Sequence, residues 1–208
     1  VKDAIPLFEA VEKADELTPA EYKVLADWYL VTGQKEKRIR AQEKMLEGYD
    51  EYNLHSVIQN TLYSPDWQGD SPPDEVSPEL LRMLIVLLRK AQYPQSYIWT
   101  LGEFYRRSHD FQLLLCLAEG MVGHTAEQIY PVLESLHYTL QEVLDEATVD
   151  SIVEEIGKVR ARSVTDVDRR ALDMLEAMLY RRAAEVTNES GPHVKKAAAA
   201  MERAFKGE

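Results

Sequence analysis

The residues of widest chemical range in this chain are five histidines, a single cysteine and a surplus of carboxylates. His124 stands three residues before Glu127, which puts two metal-ligand types on one helical turn, and His137 is close enough along the chain to join them. A metal-binding bundle needs a matching pair on a second helix. The sequence has no HExxH run, no cysteine–histidine cluster and no second HxxE pair. His124 and Glu127 therefore read as surface or capping residues, and neither a metal nor another cofactor is expected. Asp66, Asp70, Asp74 and Glu75 gather enough acid in the stretch 64–77 to suggest calcium. The alternation and central glycine of a calcium loop are missing there, and prolines interrupt it, so the stretch reads as a surface insertion pinned by Trp67. Cys116 lies in the run LLLCLA, where a thiol is a buried, inert group. With no glycine-rich phosphate loop and no serine elbow either, the chain is not expected to be an enzyme.

The background that would have to position any site is a chain of 208 residues, 45% hydrophobic and 29% charged, with only 9 glycines and 9 prolines. Such a composition suits one folded domain over 1–208, built from long regular elements. A net charge of −12 argues against nucleic acid and against an acidic membrane surface, because both are held chiefly by lysine and arginine. The basic runs KEKRIR at 35–40 and VKK at 194–196 read as solvated helix faces. A lone cysteine cannot close an internal disulfide, and no secretory signal or membrane-spanning run is present, so a cytoplasmic setting is expected. Asn188-Glu189-Ser190 is formally a glycosylation sequon and matters only for a secreted parent. A first residue of Val1 in place of methionine reads as a piece cut from a longer protein.

Helical periodicity runs through nearly the whole chain. Thr18-Pro19-Ala20-Glu21 is a capping box with proline at the first helical position, and Thr125-Ala126-Glu127-Gln128 repeats it. Ser77-Pro78-Glu79, Thr148-Val149-Asp150 and Thr165-Asp166 give further starts, while Gly33, Gly48 and Gly123 mark stops. The spacing predicts about eleven helices, at 3–15, 19–32, 34–47, 50–62, 78–91, 95–107, 110–122, 126–143, 149–162, 166–187 and 192–206, with Pro131 kinking or restarting the eighth. LLRMLIVLL at 80–88 is apolar nearly all round and should be covered on several sides. In the last helix Val194, Ala198, Met201 and Phe205 form a one-sided stripe of the kind that normally faces a core.

A longer period lies over the helical one. Leu25-Ala26, Tyr29, Gly33 and Met45 recur 76 residues later as Leu101-Gly102, Tyr105, His109 and Met121. Two units of a repeat of roughly 34 residues would span about 68, and the break at 63–77 can hold the remainder. In these residues the chain resembles the tetratricopeptide-repeat family, best over 98–121. The match at 22–45 is partial, since Arg38 stands where the family prefers alanine. The resemblance implies an all-α fold of antiparallel hairpins stacked as an α-solenoid. The expected pairs are about 19–47, 50–91, 95–122, 126–162 and 166–206, with the insertion at 63–77 and helix 3–15 left over from a preceding unit.

The resemblance further implies a non-catalytic module that binds protein or peptide, or scaffolds neighbouring domains of a longer chain. In the repeat register Trp99, Glu103, Arg106 and Arg107 would face a concave groove, joined by Lys23, Asp27 and Asn53 from earlier units. An arginine pair beside a tryptophan suits an acidic or aromatic-bearing peptide. Some members of the family grip a terminal carboxylate with lysine and asparagine. Asp27 and Ser96 occupy those positions here, so that activity is not carried over. Tyr22, Tyr29, Phe104, Tyr105 and Phe111 are assigned to packing. Two other readings stay open: a compact helical ligand-sensing or enzymatic domain with a pocket holding His124, Glu127 and His137, and a purely structural spacer.

Overall fold

The computed structural model describes residues 2–14, 17–139, 146–163, 165–187 and 190–206. No strand occurs among them, as an all-α chain requires. The helices are α1 (Ile5–Ala14), α2 (Pro19–Val31), α3 (Lys35–Gly48), α4 (Glu51–Leu62), α5 (Pro65–Gln68) and α6 (Pro78–Lys90). They continue as α7 (Ile98–Ser108), α8 (Gln112–Met121), α9 (Ala126–Thr139), α10 (Glu146–Arg162), α11 (Asp166–Thr187) and α12 (Ser190–Lys206), with a 3-10 turn at Pro94–Tyr97 before α7.

The starts follow from local hydrogen bonding. At α2 the Glu21 amide donates to Thr18 Oγ1 at 3.3 Å and the Thr18 amide donates to Glu21 Oε2 at 2.7 Å, closing the expected box. The Thr125 amide donates to Gln128 Oε1 at 3.0 Å, and at α11 Thr165 and Asp168 exchange the same pair of bonds. Leu80 N–H donates to Ser77 Oγ at 3.2 Å. Gly33 (φ +74°) and Gly123 (φ +93°) end their helices in the left-handed region. Gly48 does not. It is the last residue of α3, and its missing side chain serves close approach, since a Cβ there would lie 2.7 Å from Pro19 Cγ. Pro131 neither breaks nor restarts α9, which is continuous through it. Helix α10 begins at Glu146, ahead of the start expected at Thr148. The insertion contains the short helix α5, with Pro65 at its first position.

The chain packs as two compact units, 1–56 and 57–208, with the division inside α4. In the first, α2 and α3 form a close hairpin, and Phe8 of α1 meets Trp28 edge-on at 4.9 Å. In the second, contacts link every other helix from α6 to α11. α8 packs mainly on α6 and also on α10, while α9 contacts both α7 and α11. Helix α11 also touches α8 and α10 and makes its most extensive contact with α12. That α8 leans on α6 more than on its chain neighbour α7 has a steric cause. Gly120 admits the Leu88 side chain so closely that a Cβ would stand 2.6 Å from Leu88 Cβ. No residue of 80–88 is fully exposed, in keeping with its apolar sequence.

The insertion is pinned as its tryptophan suggested. Trp67 is buried edge-on against Phe104 at 4.7 Å, and Arg107 donates from Nη1 to the Trp67 carbonyl at 3.0 Å. Its far end is tied by buried Asp110, which accepts from the Val76 amide at 2.8 Å and from the Gln112 amide at 2.9 Å. Both carboxylate oxygens are thus satisfied by backbone donors, which offsets the cost of removing the charge from water.

Two glycine replacements should separate backbone strain from crowding. Gly33→Ala meets nothing within 4 Å yet must hold φ +74°, and is expected to cost about 1 kcal/mol. Gly120→Ala keeps an ordinary helical backbone but drives a methyl into Leu88, and should cost about 1–3 kcal/mol in urea unfolding.

Candidate binding surfaces

The residues expected to face a groove fall in both units. In the first, Lys23 and Asp27 are exposed and paired across one turn of α2 at 3.7 Å. Asn53 is exposed, and its backbone amide donates to Asp50 Oδ1 at 2.7 Å at the start of α4. In the second unit, Trp99 is 55% exposed on α7. Glu103 accepts from Arg106 at 2.5 Å and lies 3.8 Å from Arg107. Arg107 is the residue whose role the sequence did not reveal, because its partner, the Trp67 carbonyl, lies 40 residues away. The packing assignments hold for Tyr22, Tyr29, Phe104 and Tyr105, all buried, while Phe111 is half-buried.

His124 and Glu127, named above as possible metal ligands, differ in their surroundings. His124 is buried and its Nε2 lies 2.7 Å from the Leu88 carbonyl, whereas Glu127 is exposed. The side chain of His137 lies outside the described residues. Burial pushes the Cys116 thiol up to about 12, so it stays protonated, and its Sγ contacts the Leu81 carbonyl at 3.5 Å. In the first unit a cleft of about 310 Å³ is lined by Glu9, Tyr29, Lys37 and Arg40. Glu12 and Lys13 line it as well, and three of its polar groups answer one another. Glu9 accepts from Lys37 at 2.7 Å and from the Tyr29 hydroxyl at 2.8 Å, which holds its carboxyl below the usual range, and burial with that same bond raises the tyrosine.

The end of the second unit is built differently. Asp173 and Glu176 on α11 are buried, and each is met by two arginines, Arg160 from α10 and Arg203 from α12. The Arg203 bonds are 3.1 Å to Asp173 and 2.7 Å to Glu176. Lys196 of α12 adds a bond to Asp150 of α10 at 2.7 Å, where the Tyr180 hydroxyl also donates at 2.9 Å. With these bonds in place α12 turns His193, Ala200 and Ala204 inward. The stripe that its periodicity assigns to a core is therefore outside: Val194 is 50% exposed, Met201 38%, Phe205 75%, and Ala198 is exposed as well.

Met201 also forms one wall of a cleft of about 290 Å³ between α9 and α12, over α11. Its apolar lining is Tyr130 and Leu133 of α9 with Met174 and Met178 of α11. Tyr130 and Met174 carry the surface on into a smaller recess beside Arg170. Arg181 and Arg182 stand on the rim, both paired with Glu185, and Glu134 lies opposite. Of its lining residues the sequence periodicity above singles out Met201 alone; Met174 and Met178, one turn apart on α11, are the signal it misses.

The tie between α10 and α12 should be visible in acid. The Lys196 ammonium, then the Tyr180 hydroxyl, hold the Asp150 carboxyl below its ordinary 3.8. A depressed carboxylate stabilises the fold above that value and loses the contribution as pH falls through the lower folded one. Asp150→Asn should therefore cost about 0.5 kcal/mol at neutral pH, small because the pair is half exposed, and the gap to the native chain should close below pH 3.8 in unfolding titrations.

Set against known proteins, the chain is matched by no family model, no curated protein and no solved structure.

Proposed function

We propose that this chain is a non-catalytic helical repeat module, tetratricopeptide-like and solenoidal, that binds a protein or peptide segment. The exposed stripe of α12 beside the methionine-lined cleft carries this reading. Contiguous apolar surface left in water costs free energy that a partner recovers, and methionine, with its flexible unbranched side chain, adapts to the shape that covers it.

Repeat character is supported by the 76-residue offset. Leu25 and Leu101, Ala26 and Gly102, Tyr29 and Tyr105, and Met45 and Met121 are buried at both places. Gly33 and His109 both adopt the left-handed conformation, at φ +74° and +55°. His109 is the one non-glycine residue with positive φ among the described residues, at the position where the earlier copy has glycine. The every-other-helix contacts of α6 to α11 are those that stacked hairpins make. Trp99, with Glu103, Arg106 and Arg107, is a second candidate surface, and Lys23, Asp27 and Asn53 remain candidates in the first unit. Against an enzymatic pocket stands His124, buried and committed to the Leu88 carbonyl. A net charge of −12 disfavours nucleic acid as the partner. Among the described residues no helix is long and apolar enough to cross a membrane.

The test is site-specific photo-crosslinking in cells, with benzoylphenylalanine at Phe205, at Trp99 and at exposed Asp70 as control. Discrete protein adducts at 205 or 99, with none at 70, are expected. Adducts at neither 205 nor 99 would remove the binding reading.

A further inference from the structure

Resting on that reading, the geometry points to the occupant of this surface: an amphipathic helix of a partner protein, with an apolar face flanked by acidic residues. It lies along α12 with its apolar side chains in the cleft between α9 and α12. Three observations lead there.

The first is shape. The cleft is a trough whose floor is α11 and whose walls are α9 and α12. Methionine and tyrosine line it from three helices, without an enclosing roof. The stripe from Val194 to Phe205 repeats at helical spacing and, at about 1.5 Å per residue, runs for roughly 16 Å. It therefore offers three turns of anchoring positions to a helix laid beside it, as in helix-in-groove recognition. An extended peptide has no unpaired sheet edge to join, because every described element is helical.

The second is charge. Arg170, Arg181 and Arg182 border the cleft against Glu134 and Glu185. Along the outer side of α12, Lys195 and Lys206 flank the stripe, with Glu202 as the acid between them. Cations thus outnumber carboxylates around this one apolar surface, on a chain that is acidic as a whole. Acidic flanks on the incoming helix match that border, and basic flanks oppose it.

The third concerns the rival occupants. A second copy of the chain would bring the same lysines against themselves, so self-pairing of the stripe is opposed. An anionic bilayer would meet the lysines of α12 favourably but the net negative charge of the rest unfavourably.

The experiment uses the whole chain and two synthetic, dye-labelled helical peptides of about five turns. Each carries Leu and Met at i, i+3, i+4 and i+7, one with glutamates and one with lysines beside that face. In fluorescence anisotropy the glutamate peptide should bind with micromolar affinity and the lysine peptide at least about fivefold more weakly, a difference that shrinks with added salt. Met201→Glu and Phe205→Ser should each weaken the glutamate peptide about tenfold, and Lys195→Glu with Lys206→Glu about fivefold, with thermal unfolding unchanged in Phe205→Ser, where the side chain is 75% exposed. No binding of the glutamate peptide, equal binding of both peptides, or indifference to Met201→Glu and Phe205→Ser would overturn the proposal. So would sedimentation showing a dimer lost in Phe205→Ser, or binding to phosphatidylcholine–phosphatidylserine vesicles in place of the peptide. Should the peptides fail while crosslinks at 205 persist, the acidic helix is wrong and protein binding stands. Should both fail, both readings fall.

Discussion

Two carboxylates buried on α11 govern how the C-terminal part of the second unit is assembled. Asp173 and Glu176 sit where water cannot reach them, and a buried charge without a partner costs about 3–5 kcal/mol. Arg160 from α10 and Arg203 from α12 supply the counter-charges, so three helices are bound together at one point. A guanidinium can reach both carboxylates only if α12 presents Arg203 toward α11. That sets the rotation of α12 about its axis, and the small Ala200 and Ala204 then form the inward face that lets the helices approach.

That rotation works against the sequence pattern of α12. Burying a valine, methionine or phenylalanine contributes about 1.5–3 kcal/mol each, so the stripe has a real preference for a covered position. The ion pairs are of comparable magnitude and add alanine-mediated close packing with α11. The structure satisfies the carboxylates and leaves the stripe in water. An apolar face so exposed is where a partner gains most by binding. The methionine, tyrosine and leucine lining of its cleft distinguishes it from the polar cleft of the first unit, where Glu9, Tyr29 and Lys37 answer one another.

Elsewhere single polar side chains tie together segments distant in sequence. Asp110 holds the end of the insertion to the turn before α8. Asp168 caps α11 and also accepts from the Gly123 amide at 2.8 Å, fastening the turn after α8. Arg107 anchors α5 through the Trp67 carbonyl. Each resembles surface charge in the sequence and acts as an interior link, which leaves Trp99 the more available member of the α7 candidates.

The sequence alone determined what is decided within a few residues: the all-helical class, most helix starts, the left-handed stops at Gly33 and Gly123, and the pinning role of Trp67. Capping bonds and backbone sterics act over three or four positions, so spacing records them directly. The short helix α5 escaped because one turn carries no period. What only the tertiary structure decided are relations between helices: the close approach of α8 to α6 at Gly120, the engagement of Arg107, the cleft shared by α9, α11 and α12, and the outward rotation of α12. Those depend on which charge finds which partner across tens of residues. Periodicity reports that a helix has an apolar face, but the pairing of Arg203 with Asp173 and Glu176 decides where that face points.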